Sequence, residues 1–189
     1  MLPRLDGQDV WRALARFPPR TGHGGDTLRP GDLRLAPPQA REELALLFGL
    51  AEDLGTWPWQ LLMVIFFLAP KGLDADRAIG LLSMVIRVWA KIRRALVRAW
   101  SREQSGHWGR ALQGSSALRI AMMRACWVEA NLELKQEVAM ALVDIEGFFD
   151  HIPLLGLWAR AVRMRYPVRV LALSFALYVC PRLIKWNGW

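Results

Sequence analysis

Between Gln39 and Leu54 apolar residues return at Leu44, Leu47, Phe48 and Ala51, the period of a helix, and Gly55 ends the run. Leu61 to Leu68 changes character: it is short, wholly apolar and rich in β-branched and aromatic side chains, which predicts a buried strand. A polar turn, Pro70 to Asp76, follows, and Arg77 to Leu82 reads as the returning strand of a hairpin with Lys71 and Arg77 near its tip. Ser83 is placed to cap the next helix, from Met84 to about Trp100, whose apolar stripe runs Val85, Val88, Trp89, Ile92, Leu96 and Ala99. Its opposite face carries Arg87, Lys91, Arg94 and Arg98.

Gly106 to Gly114 interrupts the pattern. Ser115 or Ser116 then opens a second helix through about Leu132, with Leu118, Met122, Cys126 and Ala130 on one face. Val138 to Ile145 is an apolar run that predicts another buried strand, Gly147 a turn, and Pro153 the first turn of a helix to about Tyr166. The stretch from residue 1 to about 40 is different. It holds Pro3, Pro18, Pro19, Pro30, Pro37 and Pro38 and the cluster Gly22, Gly24, Gly25 and Gly31, so it reads as a loose lead segment with one short helix, Val10 to Phe17. The pattern divides the chain at 1–56, 57–110 and 111–189, without internal repeats, and the fold class is α+β, mostly helical.

Composition narrows the function classes. The chain has 189 residues, 53% of them hydrophobic, which excludes wholesale disorder. The longest uncharged apolar run, Trp57 to Ala69, falls well short of the roughly 20 residues that span a bilayer. Charges near the N-terminus (Arg4, Asp6, Asp9) argue against a secretory signal, so an intracellular protein, nuclear or cytoplasmic and not secreted, is expected. The net charge is +8, and all but four of the 25 cations are arginine, a surplus suited to an anionic partner. Cys126 and Cys180 are too few for a disulfide framework, and His23, His107 and His151 share no ligand spacing with them. No Ser-His-Asp or phosphate-loop signature occurs.

The stretch with most chemistry in it is Ala141 to Pro153, ALVDIEGFFDHIP. An apolar run delivers a carboxylate, a glycine turns the chain, and an aromatic precedes a second aspartate. Hard cations such as Mg²⁺ take carboxylate oxygen, with one or two protein carboxylates beside substrate phosphates.

Asp144 to Asp150 (DIEGFFD) resembles motif A of reverse transcriptases, those of group II introns and non-LTR retrotransposons in particular. The upstream stretch LAPKGLDADRAIGLLS, Leu68 to Ser83, is similar to the fingertip turn and Arg-Pro-Ile segment of that family, with Ala78 where the family has proline. Gln113 to Ser116 loosely resembles the template-placing segment before motif A. Tyr178, Arg182 and Trp186-Asn187-Gly188 resemble the approach to motif B. The resemblance covers Leu61 to Trp189, about two thirds of the chain.

It implies partial fingers and palm of a right-hand polymerase, working on an RNA template, a DNA primer and dNTPs with Mg²⁺. By resemblance Asp144 is the catalytic metal ligand, helped by the Ile145 carbonyl. Lys71 and Arg77 contact the incoming triphosphate, and Phe149 crowds the sugar 2′ position. No Asp or Glu follows Asp150, and the resemblance puts motifs B and C and the thumb past Trp189. Two-metal chemistry needs carboxylates beyond a single aspartate. An N-terminal fragment inactive on its own is therefore expected. Two other classes fit the same charge: a non-catalytic nucleic-acid-binding remnant using the arginine faces, and a basic membrane-surface protein using Trp-rich amphipathic helices.

Overall fold

The computed structural model describes residues 2–70, 76–106, 114, 116–141, 143 and 151–185. Among them are seven α-helices and three strands, a mostly helical α+β arrangement: α1 Gly7–Ala15, α2 Pro30–Leu35, α3 Pro38–Leu54, β1 Val64–Pro70, β2 Asp76–Leu81, α4 Met84–Gln104, α5 Ala117–Glu133, α6 Leu154–Arg163, α7 Val168–Val179 and β3 Arg182–Lys185. The chain divides into two compact units, residues 1–97 with 165–189, and residues 98–164.

In the first unit the core is built where the helical stripes of α1, α3, α4 and α7 meet. Val10, Leu14, Phe48, Met84, Ile86, Val88 and Leu173 are essentially inaccessible to solvent. Trp57 stands at the centre, edge-on to Phe48 and to Trp89 with ring centroids 6.4 and 5.1 Å away, and its indole N–H donates to the Leu173 carbonyl. Each helix end has a local cause. Asp6 caps α1 in a capping box with Asp9, Pro38 opens α3, and Gly55 closes α3 at φ +70°, a left-handed conformation that suits a residue without Cβ.

The lead segment is not loose. It folds into α1 and α2 and contributes Val10, Ala13, Leu14 and Phe17 to the core. Polar ties fix it as well. The Arg34 guanidinium donates to the carbonyls of Leu14 and Phe17, satisfying the open end of α1, and the Gly7 amide donates to Glu42 on α3. Arg93 forms a two-pronged ion pair with Glu52 at 2.6 Å, and the same guanidinium reaches the Pro3 carbonyl. Proline and glycine here serve turns between packed helices, a role that composition does not separate from disorder.

β1 and β2 form the expected antiparallel hairpin, in register from Ile65 opposite Leu81 to Pro70 opposite Asp76. Gly80 faces Val64 and Phe66 so closely that an added Cβ would sit 3.3–3.4 Å from them. The sheet gains a third member that the apolar pattern did not announce. β3 lies parallel to β1, Val64 opposite Arg182 and Phe67 opposite Lys185, giving the order β2-β1-β3. β1 is thus central, yet only Val64 is fully buried and Ile65 to Ala69 are half-buried, because the sheet is narrow and its flanking strands are short.

In the second unit Ser116 caps α5 as the sequence suggests, accepting from the Arg119 amide. The α5 stripe is nonetheless exposed: Leu118, Met122, Met123 and Trp127 are all more than half accessible. The run from Val138 departs from expectation. Residues 138–141 and 143 are neither strand nor buried, and Val143 is 84% exposed. An apolar run makes a strand only where a neighbouring strand takes its backbone groups, and among the described residues none does so here. Of the described tryptophans only Trp57 and Trp89 are fully buried.

Candidate functional site

Of the site residues that the motif resemblance implies, Arg77 alone lies among the described residues, in the hairpin β1–β2. Arg77 sits one residue inside β2, opposite Ala69, with its side chain exposed. It stands four residues from Leu81, so about 13 Å of strand separates it from the inner end of β2. A planar guanidinium thus stands toward the outer end of the hairpin. Lys71, Asp144, Ile145 and Phe149 lie outside the described residues. Among the described residues no group of three or more His, Cys, Asp or Glu is arranged to hold a metal ion.

The inner end of the hairpin is held by a residue the sequence did not single out. Ser83 stands at the head of α4, its carbonyl accepting from the Arg87 amide, but its hydroxyl is a donor there. The side-chain acceptor is Asp26: one carboxylate oxygen accepts from the Met84 amide at 2.6 Å, from the Val85 amide at 3.5 Å and from the Ser83 hydroxyl at 2.7 Å. A carboxylate at a helix N-terminus satisfies open amides and meets the positive end of the helix dipole. The turn that delivers Asp26 approaches the β2–α4 junction closely. A Cβ on Gly24 would fall 2.3 Å from the Leu82 carbonyl oxygen, so only glycine fits. Nothing local in the sequence joins Gly24-Gly25-Asp26 to Ser83; the signal was a glycine pair before an acid, common to most turns.

On the far side of the sheet, β3 adds Arg182, whose guanidinium lies over the Phe66 ring at 5.6 Å and donates to the Tyr178 carbonyl. Tyr178 is exposed and packs edge-on against Phe175. The same region holds Tyr166, whose burial first, and then the neighbouring Tyr178, push the phenol pKa above the ordinary value of 10.0.

Along α4 the basic face is real. Arg87 and Lys91 both lie against the Phe17 ring, 5.8 and 3.8 Å from its centroid, and Lys91 donates to the Arg16 carbonyl. Burial lowers the Arg87 pKa, opposed by Asp26. The Lys91 ammonium is lowered by burial and then by the positive fields of Arg94, Arg16 and Arg87. A separate cleft of about 290 Å³ between Leu2–Leu5 and α3 contains Glu52 and Asp53, but both are already paired, with Arg93 and Arg169.

Among the described residues no helix is long and apolar enough to cross a membrane. No protein-family model matches the chain, and no curated protein matches it either.

Proposed function

We propose that this chain supplies the fingers and the first part of the palm of a reverse-transcriptase-type polymerase, and that alone it synthesises no DNA. The observation that carries the reading is the hairpin itself. An apolar strand, an antiparallel partner with Arg77 one residue inside it, and a long helix three residues beyond that partner occur in the order the motif resemblance requires. A further support is β3: the segment that follows the motif A region returns to pair with the same β1 that carries the fingertip turn.

In this reading Lys71 and Arg77 bind the triphosphate of the incoming nucleotide, one as a point charge and one as a planar fork. Asp144 and the Ile145 carbonyl are hard oxygen donors, which fits Mg²⁺, and the ion when bound would neutralise charge developing on the phosphates. Phe149 lies against the sugar and selects against a 2′-hydroxyl by contact. The template would be RNA and the primer DNA.

The test uses a fluorescent dATP analogue with Mg²⁺, followed by anisotropy. Lys71→Ala combined with Arg77→Ala should weaken binding by about tenfold or more, since each lost charge-assisted hydrogen bond contributes about 1.5–3 kcal/mol. Binding that ignores both substitutions would refute the fingertip assignment. Primer extension on an RNA template should give no product; synthesis that disappears in Asp144→Ala would overturn the claim of inactivity alone.

A further inference from the structure

Four cations converge where the end of α1 meets the face of α4. Arg16 and Arg94 are exposed, while Arg87 and Lys91 are half-buried over the two sides of one arrangement, the Phe17 ring beneath them. On α4 the positions 87, 91 and 94 fall on one face and span about 10 Å at 1.5 Å per residue. Like charges this close repel, and one ring quadrupole offsets only part of that repulsion.

Among the described residues no carboxylate forms an ion pair with these four cations. Among the described residues the ion pairs are Arg12 with Asp9, Arg93 with Glu52 and Arg169 with Asp53; none involves Arg16, Lys91 or Arg94. Asp26, whose field reaches Arg87, is already engaged by Ser83 and the first amides of α4. The patch is also built rather than floppy, since Lys91 is tied to the Arg16 carbonyl and Arg87 to the Gly22 carbonyl.

We infer that Arg16, Arg87, Lys91 and Arg94 form a surface that binds the phosphate backbone of a nucleic-acid strand without reading its sequence. The membrane alternative is disfavoured by the same helix. Interfacial binding needs an apolar face free to insert, and the apolar face of α4 (Met84, Val85, Ile86, Val88, Trp89) is buried in the core. The patch stands on its own geometry and holds whether or not the hairpin binds a nucleotide.

Each phosphate neutralised on a single strand contributes about −0.7 to the slope of log affinity against log salt. Titration of the full chain with a 20-nucleotide oligouridylate between 50 and 300 mM salt should therefore give a slope about 1.4 shallower for Arg16→Ala/Arg94→Ala than for the wild type. Both positions are exposed, so thermal melts of the two proteins should coincide. A second variant, Arg160→Ala/Arg163→Ala, removes the same charge from exposed positions on α6 and should change the slope by less than half as much. Equal losses in the two variants would mean diffuse attraction to a basic protein and would overturn the site. So would an unchanged slope in the first variant. Loss of flotation with phosphatidylserine vesicles in the Arg16/Arg94 variant, with oligouridylate binding intact, would reassign the surface to lipid and refute the inference.

Discussion

Asp26 joins segments 57 to 59 residues apart through one oxygen, and so bears more of the fold than its place in a glycine-rich turn suggests. Its replacement by Ala removes a helix cap and leaves the Ser83 hydroxyl without that acceptor. A loss of about 2 kcal/mol follows, a fall in melting temperature of about 4–8 °C for a chain of this size. Asp26→Asn keeps the acceptor and should lose less than half of that; differential scanning calorimetry on the pair decides. Tyr166 gives a second handle, because the chain has only two tyrosines. Its folded pKa is raised, so the neutral phenol's contribution to stability is full below pH 10 and is lost as pH rises through the folded value. The tyrosinate absorbance that develops above pH 10 should therefore be reduced, with its highest-pH part lost, in Tyr166→Phe. At this scale the sequence was least legible. The sequence marks Asp26, Glu52 and Arg93 as polar residues, but their roles depend on partners far away along the chain.

Helices α1 and α3 to α6 and the hairpin were legible because each carries its own period and punctuation, whereas the six-residue α2 and the almost uniformly apolar α7 were not anticipated. Gly55 is a clear case: it was read as the end of α3, and it adopts the left-handed conformation that ends helices. A Cβ there would meet only Ala172 at an ordinary 3.8 Å, so Gly55→Ala should cost about 1 kcal/mol from the backbone alone, checked by urea denaturation with an unchanged m-value. What failed lacked such local signals. β3 is four residues long with two cations in it, and it is a strand because β1 lies beside it. Residues 138–141 had the composition of a strand but gained no neighbour. Of the candidate site, the hairpin was readable from an apolar run followed by turn residues, whereas the cation cluster required α1 to deliver Arg16 onto α4.

For the whole molecule, charge and core are concentrated together. Residues 98–164 hold eight Lys and Arg against seven Asp and Glu, so of the 25 cations and 17 anions the first unit keeps 17 and 10. The surplus that suggests an anionic partner thus belongs to the unit that carries the hairpin and the α4 patch. The lead segment is part of that unit's stability. Val10, Leu14 and Phe17 together bury enough to contribute about 5–9 kcal/mol, comparable with the total stability of an ordinary domain. A chain lacking residues 1–29 should therefore fail to give a cooperative melt by circular dichroism, where the intact chain gives one.

The central sheet also orders events in time. β1 and β2 leave the ribosome before β3 and the α7 residues that cover Trp57. At about 5–20 residues per second the interval between residues 97 and 185 lasts about 4–18 s. Through that interval the nascent first unit presents an unpaired strand edge and an open tryptophan cluster to the cell. The protein is therefore most exposed to chaperones and proteases while it is still attached to the ribosome, and slow decoding between α4 and β3 would lengthen that window.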